Sequence, residues 1–139
     1  MSIDRKTHIL LVDDDEIDVM NVRRAFEKGK IENPLFHAED GLAALEMLRE
    51  GTIPKDRRLV LLDLNMPRMN GIEFLRELRA DPALHGTAVV VLTTSDEERD
   101  RIEAYHFHVA GYLVKPVRFL SFVELMTTLN RYWTLMEMA

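Results

Sequence analysis

Two acidic stretches, a pair of threonines and one lysine carry the chemistry this sequence can do. HILLVDDDE, residues 8–16, ends an apolar run in Asp13, Asp14 and Asp15, and LVLLDLNMPRMNG, residues 59–71, ends a second in Asp63. Two more apolar runs end in polar residues: AVVVLTTS in Thr93 and Thr94, and GYLVKP in Lys115. Carboxylates from Asp13, Asp14 and Asp63 that converge repel one another, and so demand raised pKa values or a bound cation. A small hard divalent ion, Mg²⁺ with Mn²⁺ able to substitute, suits such an all-oxygen set. Such a site either holds a phosphate-bearing ligand or lets a carboxylate attack a phosphoryl group, since aspartate is a competent nucleophile for making an aspartyl phosphate. Attack by Asp63 would need charge neutralised on three transferring oxygens, which the metal, the Lys115 ammonium and the Thr93 hydroxyl could share. Asn65, two residues past Asp63, can offer its backbone carbonyl to the ion.

The elements that must position these groups are legible from apolar patterning. Unbroken apolar runs at His8–Val12, 58–63 and TAVVVLTTS read as strands buried on both faces, with shorter strands at Pro34–Ala38 and Gly111–Val114. Between them stand helical patterns. Val19, Val22 and Phe26 share a face of a helix over 16–29, followed by helices over 42–48, Ile72–Leu78, about 96–107, and from about Arg118 to near the end. Strictly alternating strands and helices predict a doubly wound α/β domain, a five-stranded parallel sheet with helices on both faces. In such sheets reactive groups gather beyond the carboxyl ends of the strands, where strand order reverses. Four of the five strands deliver a charged or hydroxyl residue to that edge. Lys115 is hard to explain there structurally, because a buried ammonium needs a partner.

Composition sets the outer bounds. At 139 residues, 47% hydrophobic and 30% charged, the chain fits one ordinary globular domain, with residues 1–7 expected to form a short flexible lead. Its net charge of −6 disfavours nonspecific nucleic-acid binding, which needs a basic footprint. With no cysteine, no signal-like start and no membrane-length apolar run, the cytoplasm is the expected location. The five histidines lack ligand spacing, and no glycine-rich phosphate loop occurs.

Taken in order, ILLVDDDE, LLDLNMPRMNG, the Thr93 pair and GYLVKP resemble the receiver domain of two-component response regulators over almost the whole chain. The resemblance implies the flavodoxin-like strand order 2-1-3-4-5, Asp13 and Asp14 as metal-site acids, Asp63 as phosphoacceptor and Asn65 as carbonyl ligand. It further implies Thr93 as the switch hydroxyl, Tyr112 as the switch aromatic, Lys115 as the site lysine and a cis Lys115–Pro116 bond. Phosphoryl transfer would come from a sensor histidine kinase or phosphotransfer protein, would depend on Mg²⁺, and would be read by a downstream protein target. VVVLTTSDEERDRIEAYHFHVAGYLVKP and NRYW are similar, more narrowly, to small stand-alone regulators associated with cyanobacterial phytochromes. Thr94 stands where many relatives carry alanine, a position that tunes how long the phosphoryl group survives.

The last helix adds an expectation about partners. Phe122, Leu125, Met126, Leu129, Tyr132, Trp133 and Met136 fall on one arc. Core packing accounts for most of it, but Tyr132, Trp133 and Met136 are expected to run past the sheet, and with Tyr112, Phe122, Leu125 and Leu129 to form a surface for self-association through the last two helices and fifth strand. Two other readings stand beside the phosphoacceptor. One is a metal-dependent aspartyl-phosphate phosphatase, against which Asn65 replaces the second acid of D-x-D. The other is a degenerate receiver that serves only as an interaction module.

Overall fold

The computed structural model describes residues 7–116 and 118–135, with side chains described through residue 133. Ten elements alternate in the expected order. These are β1 His8–Val12, α1 Glu16–Lys28, β2 Leu35–Ala38, α2 Gly41–Glu50, β3 Arg58–Leu62, α3 Gly71–Ala80, β4 Ala88–Thr93, α4 Glu98–His106, β5 Gly111–Val114 and α5 Phe119–Leu135. All strands pair in parallel, in the order β2-β1-β3-β4-β5. The lead expected over 1–7 lies, except for Thr7, outside the described residues, as does Met136.

Sequence chemistry explains where the helices begin. Asp15 caps α1, its side chain accepting from the amides of Ile17 and Asp18, and Glu16 and Asp18 favour the positive end of the helix dipole. Asn70 and Glu73 form a reciprocal capping box at the start of α3. Glu97 occupies the cap of α4 without a side-chain hydrogen bond, so that helix starts at Glu98, slightly later than expected.

The alternation of side chains along each strand divides the core in two. Leu10, Val12, Val60, Leu62, Val89 and Val91 face α2, α3 and α4, where Leu45, Leu48, Phe74 and Leu78 meet them. Ile9, Leu11, Leu59, Leu61, Val90 and Leu92 face α1 and α5, where Val19, Val22, Phe26, Phe122 and Met126 close the other layer. Central β3 is buried at every position, which explains its unbroken apolarity. No helix among the described residues is long and apolar enough to cross a membrane.

The structure corrects the expectation for the end of α5. Trp133 is 1% exposed, lies 6.0 Å from the Phe26 ring on α1, and donates from Nε1 to Asn130 Oδ1 at 2.8 Å. Phe122 and Leu129 are buried in the same layer and Leu125 packs against it, so these four residues belong to the chain's own core. The physical reason is that α1 extends alongside α5 and supplies the apolar surface that the sheet alone does not. Only Tyr132 of the described aromatics on that arc is exposed, at 57%. Accordingly, Trp133→Ala is expected to lower stability by about 3–5 kcal/mol, and Tyr132→Ala by less than about 0.5 kcal/mol, as measured by urea unfolding.

Candidate functional site

Register brings the chemistry together. Val12 of β1 pairs with Leu62 of β3, so Asp13 and Asp63 leave adjacent strands at one level. Their backbones stay tied to the sheet: the Asp13 amide donates to Ala38 O at 3.1 Å and the Asp63 amide to Val12 O at 2.9 Å. On the far side Thr93 pairs with Val114, and the Lys115 amide donates to Thr93 O at 2.8 Å. Because β1 lies between β2 and β3, the chain departs from it in both directions, and the crevice opens at that reversal.

The side chains meet in this crevice. Asp13, Asp14 and Asp63 can each offer a carboxylate oxygen, all within 4.8 Å of one another. Asp13 and Asp63 are buried and Asp14 is exposed, so the cluster keeps one solvent-facing member. The Lys115 ammonium donates to Asp13 Oδ2 at 2.7 Å, to Asp18 Oδ2 at 2.8 Å and, more distantly, to Asp63 Oδ2 at 3.5 Å. The other Asp63 oxygen accepts from Thr93 Oγ1 at 2.8 Å and from the Asn65 amide at 3.3 Å. Thr94 is exposed and makes no side-chain hydrogen bond among the described residues.

Burial sets the electrostatics. It lifts the Asp13 carboxyl from its ordinary 3.8 to about 6, opposed by Lys115 and reinforced by the Asp63 charge. For Lys115, burial works to lower the pKa, but Asp13 first, then Asp18 and Asp63, raise it above the ordinary lysine range. One ammonium therefore faces more carboxylates than it can neutralise. The donor set is all oxygen, without sulfur or imidazole, and suits a hard divalent ion that retains waters.

The loop after Asp63 is held from several sides. Gly71 opens α3 so close to it that a Cβ there would lie 2.6 Å from Asp63 O and 2.7 Å from Leu64 Cα, which requires glycine. Arg68, at a positive φ of 62°, pairs with the buried carboxylate of Asp40, which also caps α2 by accepting from the Ala43 amide at 2.9 Å. Helix α2 is thereby fastened to the Asp63 loop.

A second set of hydrogen bonds leads away from the site. The Ser95 amide donates to Thr93 Oγ1 at 3.3 Å, and Ser95 O accepts from the Tyr112 hydroxyl at 2.9 Å. Ser95 Oγ donates to Asp100 Oδ2 at 2.5 Å, and the Arg101 guanidinium lies 5.2 Å from the centre of the Tyr112 ring. Asp63, Thr93, Ser95, Tyr112 and the start of α4 thus form one connected group.

The structure therefore brings together Asp13, Asp14, Asp63, Asn65, Thr93 and Lys115, and leaves Thr94 at the rim. It corrects one expectation: no cis peptide occurs among the described residues, Lys115–Pro116 included, and trans is the intrinsically favoured form. Sequence reasoning missed Asp18, Ser95 and the Arg68–Asp40 pair. Asp40 had a readable signal, an aspartate just ahead of the apolar run LAALEML. Asp18 had none beyond an acid in a first helical turn, because its approach to Lys115 spans 97 positions in the chain.

Comparisons with known proteins agree with this geometry. The response regulator receiver domain family matches residues 9–127. The probable methanogenesis regulatory protein FilR2 of Methanothrix harundinacea is 39% identical over 127 residues, covering 90% of this chain and 82% of that protein. Response regulator Rcp1 of Synechocystis is 37% identical over 128 residues, covering 90% of this chain and 87% of Rcp1. The crystal structure of the Mn²⁺-bound form of Rcp1 superposes with a TM-score of 0.82 at 34% identity, covering 96% of this chain and 99% of that one. That of the phosphorylated cyanobacterial phytochrome response regulator RcpA gives 0.84 at 30% identity, covering 94% and 96%.

The Asp40 clasp generates a pH prediction. Burial pushes the Asp40 carboxyl up, but the Ala43 amide and the Arg68 guanidinium outweigh it and hold the carboxyl below its ordinary 3.8. A depressed carboxyl contributes stability above its unfolded pKa and loses it as pH falls through the folded value. Asp40→Asn is therefore expected to unfold at lower urea concentration than the parent near neutral pH, with the gap closing as pH falls below about 4.

Proposed function

This chain belongs to the response-regulator receiver family, and from that premise we propose that it accepts a phosphoryl group on Asp63 from a phosphohistidine of a sensor kinase or phosphotransfer protein. The observation that carries the proposal is the surroundings of Asp63: one oxygen bonded to Thr93 Oγ1, the other facing the Lys115 ammonium, and two further carboxylates beside it. An Asp63 oxygen attacks phosphorus as the phosphorus–nitrogen bond of the donor breaks. The electron pair leaves with the imidazole, which then takes a proton from solvent.

Each neighbour has a part. The Lys115 ammonium, already donating into the crevice, turns one N–H to a phosphoryl oxygen, and the Thr93 hydroxyl, released from Asp63, donates to another. A divalent ion, Mg²⁺ or Mn²⁺, held by Asp13, Asp14, Asp63 and the Asn65 backbone carbonyl, would neutralise charge on the transferring oxygens. The likeness to Mn²⁺-bound Rcp1 and to phosphorylated RcpA supports this part of the reading.

The output is a changed binding surface. When Thr93 moves toward the phosphoryl group, its bond from the Ser95 amide is strained, and Ser95 O is the acceptor for Tyr112. The modification thus biases the position of Tyr112 and the start of α4. Exposed Ile102 and Tyr105 on α4, Val114 on β5 and Leu120 and Tyr132 on α5 give that side of the molecule apolar side chains for a downstream protein or a second copy of the chain. Thr94, exposed beside Thr93, would affect access of water to the phosphoryl group.

Incubation with acetyl phosphate and Mg²⁺ is expected to add one phosphoryl group by intact mass, with none on Asp63→Asn or without divalent ion. No adduct on the parent protein, or steady hydrolysis of unrelated phosphomonoesters, would overturn the reading. In analytical ultracentrifugation, phosphorylation is expected to shift the monomer–dimer balance, and Tyr105→Ala with Leu120→Ala is expected to abolish the shift; unchanged sedimentation on phosphorylation would exclude self-association as the output.

A further inference from the structure

The ammonium of Lys115 has three N–H donors, and their allocation is uneven. Two are spent at 2.7 and 2.8 Å on Asp13 and Asp18, whereas Asp63 Oδ2 lies at 3.5 Å. The Lys115 side chain is only 5% exposed, so water cannot substitute freely for these partners. Asp13 belongs to the acidic cluster that fits a divalent ion, and its charge would be shared with that ion. Asp18 stands outside the cluster. It sits in the first turn of α1, its amide bonded to the Asp15 cap, on a helix locked to the sheet by Val19 and Val22.

We propose that Asp18 is a positioning residue that holds the Lys115 ammonium in a resting place off Asp63 and so sets how readily the site captures a phosphodonor. The inference rests on the phosphoacceptor reading and deepens it. For the Lys115 ammonium to move from this place toward a phosphoryl oxygen on Asp63, the bond to Asp18 must lengthen or be given up. Asp18 can release it because its own side chain is 28% exposed, against 1% for Asp13, so water can take the place of the lysine. A cavity of about 40 Å³ beside the pair, lined by Asp18, Asn21, Lys115, Arg118 and Phe119, gives that water room. Asp18 also brings a negative charge toward the place an anionic donor must occupy. Both effects oppose capture, so both are lifted together when the carboxylate is neutralised.

The test compares parent, Asp18→Asn, Asp18→Glu and Glu16→Gln with acetyl phosphate at saturating Mg²⁺, following the adduct by intact mass. Asp18→Asn is expected to lower the acetyl phosphate concentration for half-maximal rate by about threefold to tenfold, with a smaller change in the maximal rate. Asp18→Glu should restore the parent value in large part. Glu16→Gln, which removes an exposed charge from the same helical turn, should leave it unchanged and so exclude a general charge effect. In the absence of phosphodonor, the ¹⁵Nζ resonance of Lys115 should shift in Asp18→Asn and not in Glu16→Gln. A half-maximal concentration unchanged or raised in a folded Asp18→Asn protein overturns the proposal, as does an equal fall in Glu16→Gln. If the parent itself forms no adduct on Asp63, the phosphoacceptor reading fails instead; an adduct on the parent with no effect at Asp18 removes the Asp18 inference alone.

Discussion

The structure turns on a buried ammonium set among carboxylates. Lys115 and Asp13 stand 102 positions apart in the chain, yet their side chains meet at 2.7 Å with almost no solvent between them. Taking such charges out of water is costly and is offset only when each hydrogen-bonding direction is answered. Here Asp13 and Asp18 answer two donors of Lys115 closely and Asp63 faces the third at 3.5 Å, while the carboxylates remain in excess. That surplus of negative charge suits the crevice to a divalent cation.

Everything nearby keeps those groups from drifting apart. The parallel register of β1 with β3 sets Asp13 level with Asp63, and the pairing of β4 with β5 sets Thr93 beside the backbone of Lys115. Rigid strands then do for the acids what their mutual repulsion would undo. The Asp63 loop, which a sheet cannot hold by itself, is fastened by Gly71 beneath it and by Arg68 reaching to the cap of α2. On the side facing α4, hydrogen bonds pass from Asp63 through Thr93 and Ser95 to Tyr112, and the packing is open enough to leave Ile102 and Tyr105 exposed.

How far the sequence could be read differs from residue to residue. Asp63 was legible because four of the five strands deliver a charged or hydroxyl residue to the same edge, and Lys115 because an ammonium at such a strand end needs partners. Strand limits at His8–Val12 and Gly111–Val114 were readable from apolar runs alone. Trp133 was misread because helical periodicity reports which residues share a face, and cannot tell whether another helix covers that face. α1 does cover it, through Phe26. Ser95 escaped notice because it links Thr93 to Tyr112 through its backbone amide and carbonyl, which no side-chain pattern reveals.

What the sequence by itself determined was the architecture and the candidate groups at its strand ends, because strand and helix periods and strand-terminal charges are local properties of the chain. What only the tertiary structure decided was who answers whom: that Lys115 divides itself between Asp13 and Asp18, that Arg68 clasps Asp40, and that Trp133 turns inward. Those pairings depend on contacts of about 3 Å between residues far apart in sequence. Such distances are fixed only when both layers of the core have packed against the sheet.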